Sequence, residues 1–217
     1  MIVSNMINEI CYDELKNMFN REIGDINLPE IKLENGYLGS RLECEVMAKL
    51  CKLQKPKKIF EIGTFEGGTT LIMAMNSPEA EIYTLDLPWI NQPDRKEEIG
   101  NSNQFYIDNR KKIVFEDTHY AKRITRLFGD SSDFPIRGHA HSIDFVFVDG
   151  CHTEHYIKND TDKAFEMVSS GGIIVWHDYD PTEHSCWDCV FNHLNEISSL
   201  GIHHITGTAI AFYRKDK

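Results

Sequence analysis

Lys58-Ile-Phe-Glu-Ile-Gly-Thr-Phe-Glu-Gly-Gly68 is the stretch that decides how this chain folds. Lys58 to Ile62 is short, apolar and β-prone, and Thr69 to Met75 beyond it is helical in pattern. The glycines therefore sit where a strand hands over to a helix. Glycine lets the backbone turn tightly there and approach a ligand closely, and the helix start offers free N–H groups to an anion. A dinucleotide loop would read GxGxxG, with a glycine where the pyrophosphate passes. Here the spacing is Gly63-x-x-x-Gly67, and Phe65 brings bulk to that point. Glu61 adds a negative charge that suits an ammonium group. The loop fits an amino-acid-bearing nucleoside better than a nicotinamide dinucleotide.

Strands and helices alternate outward from this loop. Glu81 to Leu85 reads as a strand ending in Asp86, and Ile124 to Phe128 as one closed by Gly129-Asp130. Ile143 to Val148 is nearly all apolar and is the clearest buried strand. A helix over Glu154 to Val168, a strand over Gly172 to Trp176 and a helix from about Ser185 to Ser199 follow. Ile202 to Ile205 and Ala209 to Tyr213 flank a Gly207-Thr208 turn. The polar stretch from Pro88 to Lys122 reads as part helix, part loop. Upstream, residues 1–55 read as helical, with Leu42, Val46, Met47, Leu50 and Leu53 at helical spacing. The expectation is an α/β, Rossmann-like doubly wound sheet, mostly parallel, with an antiparallel hairpin at one edge and a helical cap over 1–55 before the domain at 56–217, the whole forming one compact unit.

In such sheets ligands bind beyond the carboxyl ends of the strands. Glu61, Asp86, Asp130, Asp149 and Asp178 all lie in or just after predicted strand ends, which points to a shared rim. Asp86 has the placement to accept ribose hydroxyls, and Asp130 lies where an adenine edge would pass. Asp149, His152, His177 and Asp178 form a metal or acid–base cluster, since two of them follow buried, adjacent strands.

The chain has 217 residues and a formal net charge of -11. Its length suits one large domain, and its acidity disfavours nucleic-acid phosphates as partners. No run approaches the roughly 20 apolar residues of a membrane helix, and the start lacks a signal-peptide pattern, so the expected address is the cytoplasm. Cys186-Trp-Asp-Cys189 is a single CxxC pair, which reads as two cysteines on a helix rather than a zinc site. The apolar helical surface around Leu42, Val46, Met47 and Leu50 predicts a homo-oligomer built on the N-terminal region.

The ordered set Ile59 to Gly68, Ile124 to Ser131, Asp144 to His152, Gly171 to Tyr179 and Gly207 to Arg214 resembles the class I S-adenosylmethionine-dependent methyltransferases. More narrowly, it resembles the bacterial O-methyltransferase-like group that includes macrolide sugar O-methyltransferases and cephalosporin hydroxylase-like proteins. The resemblance implies a seven-stranded sheet with one antiparallel strand and S-adenosylmethionine held by Glu61, Gly63, Thr64, Gly67, Asp86 and Asp130. It also implies methylation of a hydroxyl on a small-molecule acceptor. Members with a divalent metal hold it after the fourth and fifth strands, which matches Asp149, His177 and Asp178. His177 departs from the all-acid pattern: as a ligand it would shift preference from magnesium toward manganese, iron or zinc, and pointing away it would leave only the two carboxylates. Asp149 or His152 would take the acceptor's proton. A non-catalytic cofactor-binding protein, a nicotinamide-dependent oxidoreductase and a metal-dependent hydrolase are the competing classes.

Overall fold

The computed structural model describes residues 7–30, 39–88, 112–180 and 188–217. Most of the polar stretch between 88 and 122, and Cys186 of the CxxC pair, lie outside them. Eight strands form one sheet: β1 (Asn8–Ile10), β2 (Lys58–Ile62), β3 (Glu81–Asp86), β4 (Ile124–Phe128), β5 (Ile143–Val148), β6 (Val168–Trp176), β7 (His203–Ile205) and β8 (Ala211–Arg214). Their spatial order is β1-β7-β8-β6-β5-β2-β3-β4. β8 runs antiparallel to both neighbours, β6 and β7, and every other pairing is parallel. After β1 at one edge, the chain enters the centre of the sheet with β2, winds outward to β4, then returns to β5 and winds the other way. The rim between β2 and β5 is therefore the switch point where a ligand crevice opens.

Two details differ from the sequence expectation. Among the described residues the sheet has eight strands rather than seven, because β1 adds in parallel to β7. Asn-Glu-Ile is too short and polar to show strand periodicity; what recruits it is the open edge of β7, helped by the Glu9 carboxylate 2.8 Å from His204 Nδ1. The β7–β8 hairpin exists, but β8 lies inside the sheet and β1 covers the hairpin's outer strand.

Alternate strand residues feed two cores. Ile59, Phe145, Phe147, Ile173, Val175 and Phe212 face one side, with α1 (Leu15–Phe19), α2 (Arg41–Gln54) and α3 (Gly68–Asn76). Phe60, Ile62, Val146, Val148, Ile174 and Trp176 face the other, with α4 (Glu154–Met167) and α5 (Asp188–Glu196). Period-two burial on both faces is what a parallel central strand requires. Ser40 starts α2 by accepting the Glu43 N–H. The stripe proposed for assembly packs within the chain: Val46, Met47 and Leu50 are fully buried, and Leu42 is half-buried against the same core. The apolar face that motivated an oligomer is thus already spent on the first core. Among the described residues no helix is long and apolar enough to cross a membrane.

Candidate active site

The glycine loop closes the carboxyl end of β2. Gly63 has φ +102°, and a Cβ there would lie 1.9 Å from the Asp149 carbonyl oxygen. Only glycine permits that approach, which brings the β2 and β5 ends together; the Asp149 N–H donates to Ile62 O at 2.9 Å. Gly67, at φ +77°, caps α3 and leaves no room for a side chain against Phe115. Between them Phe65 also takes positive φ, 46°, and its N–H donates to Asp86 Oδ2 at 2.8 Å. The bulk noted at position 65 thus belongs to a turn tied to the next strand.

Glu61 is fully buried. Thr84 and Thr70 hydroxyls both donate to its Oε2, Thr84 at 2.5 Å, and Thr64 Oγ1 sits 2.5 Å from Thr84 Oγ1. Oε1 has no hydrogen-bond partner among the described residues. Burial pushes the carboxyl up to about 8, against the two threonine hydrogen bonds; the charges of Asp149 and Asp86 add to the rise. A buried acceptor left open costs about 1–3 kcal/mol, so this atom fits a cationic partner arriving from the crevice. The first-turn N–H groups of α3 beside it fit a carboxylate. The donor set suits an amino-acid moiety.

Asp86 is held by the N–H groups of Phe65 and Leu87, one on each oxygen. Asp130 is buried, and its carboxylate takes the Ser132 N–H and the Tyr156 hydroxyl. Asn159 and Lys163 of α4 also donate to Ser131 O, so α4 fixes the loop after β4.

Asp149, His152 and Asp178 each offer one ligand atom, and these atoms lie within 4.8 Å of one another. His152 Nε2 is 2.6 Å from Asp178 Oδ2 and 3.8 Å from Asp149 Oδ1. His177 stands beside this group rather than in it, with Nδ1 3.5 Å from Asp149 Oδ1 and 3.3 Å from Asp178 Oδ2. Its Nε2 is 3.7 Å from Glu43 Oε2. Burial pushes His152 down, but the hydrogen bonds and charges of Asp149 and Asp178 outweigh it and carry it to about 9. His177 goes well above its usual value for the same reason, with Asp178 the stronger partner. Burial raises Asp178, and the two imidazoles, His177 first, pull it far below the carboxylate range. Asp178 also has φ +61°, a left-handed turn that non-glycine residues adopt only under constraint. Two oxygens and one imidazole nitrogen at this spacing suit a divalent ion, whose ligands sit at about 2.0–2.6 Å.

Sequence reasoning missed Glu43, Thr70, Thr84 and Tyr156. Glu43 had one available signal, a lone acid on an otherwise apolar helix face.

A family described as a methyltransferase domain matches residues 60–179. Tricin synthase 1 of Oryza sativa subsp. japonica is 26% identical over 155 residues, 70% of this chain and 57% of that protein. The chain spans 50–57% of the length of the curated relatives it matches. A putative caffeoyl-CoA O-methyltransferase from Staphylococcus aureus superposes with TM-score 0.57 at 13% identity, covering 94% of this chain and 90% of that one. An O-methyltransferase from Bacillus cereus, in complex with S-adenosylhomocysteine, gives TM-score 0.55 at 17% identity over 81% and 82%. These structural likenesses carry the fold, while the family match spans the glycine loop, Asp86, Asp130 and the acid–histidine cluster together. On that match the protein belongs to the methyltransferase domain family.

Proposed function

We propose that this protein is an S-adenosylmethionine-dependent O-methyltransferase of a small-molecule hydroxyl, assisted by a divalent ion and acting in the cytoplasm. One observation carries the reading: the Asp149–His152–Asp178 cluster abuts the glycine loop, through the Gly63 approach to the Asp149 carbonyl. A methyl donor bound along the loop and a hydroxyl activated at the cluster would meet at the β2–β5 crevice. The likeness to O-methyltransferases of Bacillus cereus and Staphylococcus aureus supports the same activity.

When bound, S-adenosylmethionine supplies an electrophilic methyl group, and a divalent ion lowers the acceptor hydroxyl's pKa. The chain's own residues do the rest. Glu61 takes the ammonium, the α3 start takes the carboxylate, and Asp86 takes the ribose. Asp149, His152 and Asp178 hold the ion. One ring nitrogen of His152 faces two carboxylate oxygens, so it needs a cation beside it, a proton or a metal. That favours His152 as a ligand over His152 as a free base, and makes His177, which stands where the family pattern has an acid, a neighbour of the ion site. Asp149, the most exposed member of the cluster with a side chain 24% accessible, is left to accept the acceptor's proton. The crevice holds the two reactants in line.

Glu61 makes the cofactor reading testable. Its carboxyl titrates near 8 in the fold against an ordinary 4.5. Its protonated form therefore stabilises the fold fully below 4.5, and that contribution is lost as pH rises through 8. The ligand-free protein should lose thermal stability across this window. Glu61→Gln keeps an acceptor for both threonines and should flatten the slope. An ammonium beside Glu61 drives its proton off, so S-adenosylhomocysteine should raise Tm and, at neutral pH, release about one proton on binding. Calorimetry in buffers of different ionisation heat reads that number. Zero release would remove Glu61 as the ammonium partner, and binding of NAD in place of S-adenosylhomocysteine would sink the whole reading.

A further inference from the structure

Glu43 lies in the first turn of α2, outside the glycine loop and outside the ion triad, yet it is only 5% exposed. Its neighbours on the helix, Cys44, Met47 and Leu50, are core residues. A charge buried there is costly unless it is partnered. Besides the Ser40 side chain at the helix start, two partners face it: Oε1 accepts the Ala209 N–H at 2.7 Å, and Oε2 lies 3.7 Å from His177 Nε2. The second distance is that of an ion pair, too long for a hydrogen bond. His177 Nε2 has no hydrogen-bond partner among the described residues. The ring therefore bridges three carboxylates: Glu43 on one nitrogen, Asp149 and Asp178 on the other. The Ala209 contact extends the brace. Ala209 O accepts the Tyr179 N–H at 3.1 Å, next to Asp178, whose left-handed backbone must be held in place by its surroundings.

We propose that Glu43 is a positioning residue for the metal site, acting through His177: it holds the ring with Nδ1 toward Asp149 and Asp178 and so sets the two carboxylates for the ion that His152 completes. The proposal rests on the divalent-ion reading above. Glu43 touches no ion itself. It stands one step further out than the carboxylate partners of ligating histidines, whose loss weakens metal binding about 10–100-fold, so that range is the upper bound for its effect. A neutral acceptor would satisfy Ala209 equally well, so the charge at position 43 has its use on the His177 side.

The test is Mn2+ titration of the full chain, with free Mn2+ read by electron paramagnetic resonance and neither cofactor nor acceptor present. Glu43→Gln preserves size and an oxygen for Ala209, and should keep its metal-free Tm within a few degrees of wild type. Its Mn2+ affinity should fall, by no more than about 10–100-fold. His177→Gln should weaken binding by a similar factor, and Glu43→Gln should add little in that background, because one removes what the other acts through. Should Glu43→Gln fail to fold, His177→Gln carries the test by itself. Wild-type affinity in either single variant, or a full Glu43→Gln effect that persists without His177, overturns the proposal. Wild-type protein that binds no Mn2+ defeats the metal reading and this proposal with it. Wild-type binding that is unchanged by Glu43→Gln defeats this proposal alone.

Discussion

Asp178→Ala and Asp149→Ala should each abolish Mn2+ binding and lower methyl transfer by about 10²–10⁴-fold, while S-adenosylhomocysteine affinity stays within a few-fold of wild type. The separation follows from the geometry. The two acids and His152 converge within 4.8 Å, so removing either carboxylate leaves a cation with two ligands. Neither acid side chain has a hydrogen bond to Glu61, Thr64 or Asp86 among those the structure describes. Asp178 should be the harsher loss, since it is the 2.6 Å partner of His152, and its absence leaves a buried imidazole facing a single acid. Turnover would be followed as S-adenosylhomocysteine release with any hydroxyl acceptor the wild type accepts, with and without chelator. Full activity of both variants in chelator would show that the cluster is structural and that methyl transfer, if present, runs without an ion.

Gly63→Ala should be the most destabilising single substitution at the site. A Cβ at position 63 meets the Asp149 carbonyl oxygen at 1.9 Å and its carbon at 2.5 Å, and φ is +102°. The neighbours are backbone atoms of a central strand end, so nothing flexible can move aside. Positive φ alone costs about 1–3 kcal/mol, and a clash on this scale should bring the total to about 4 kcal/mol or more. For a chain of this size that is a fall in Tm of roughly 8 °C or more. Gly201→Ala separates the two causes: φ is +84°, but nothing lies within 4 Å of the added carbon, so it should show only the conformational part. Equal Tm shifts in the two variants would mean that the β2 and β5 ends are not packed as tightly as this geometry requires. Gly63→Ala should also weaken Mn2+ binding, because it displaces Asp149, whereas Gly201→Ala should not.

The site was legible in the sequence to an uneven degree. Glu61, Gly63, Gly67, Asp86 and Asp149 follow apolar runs whose strand character is local, so their placement on the rim needed only the order of elements. Ile124 to Phe128 and Ile143 to Val148 form strands with the bounds their residues suggested. His177 shows the limit. Asp178 lies beside Asp149, but how the two imidazoles share these acids, with His152 Nε2 at 2.6 Å and His177 Nδ1 at 3.3 Å from Asp178 Oδ2, depends on the left-handed turn at Asp178 and on the loop from Gly150 to His152. No residue pattern announces a positive φ at an aspartate. The apolar stripe on α2 was read as uncovered because its periodicity says only that one face must be buried, not by what.

The sequence by itself determined the doubly wound sheet, the strand-to-helix glycine loop and the ring of acids at the strand ends, because apolar runs, turn glycines and strand-end positions are properties of short segments. Only the tertiary structure decided that β1 joins the sheet, that β8 lies inside it, that α2 spends its apolar face on the first core, and that Glu43 reaches His177. Two of those outcomes, the pairing of β1 with β7 and the reach of Glu43 to His177, depend on groups more than a hundred residues apart meeting in space, as Glu43 and Ala209 do at 2.7 Å. Such meetings are fixed by strand order and packing rather than by anything written near either residue.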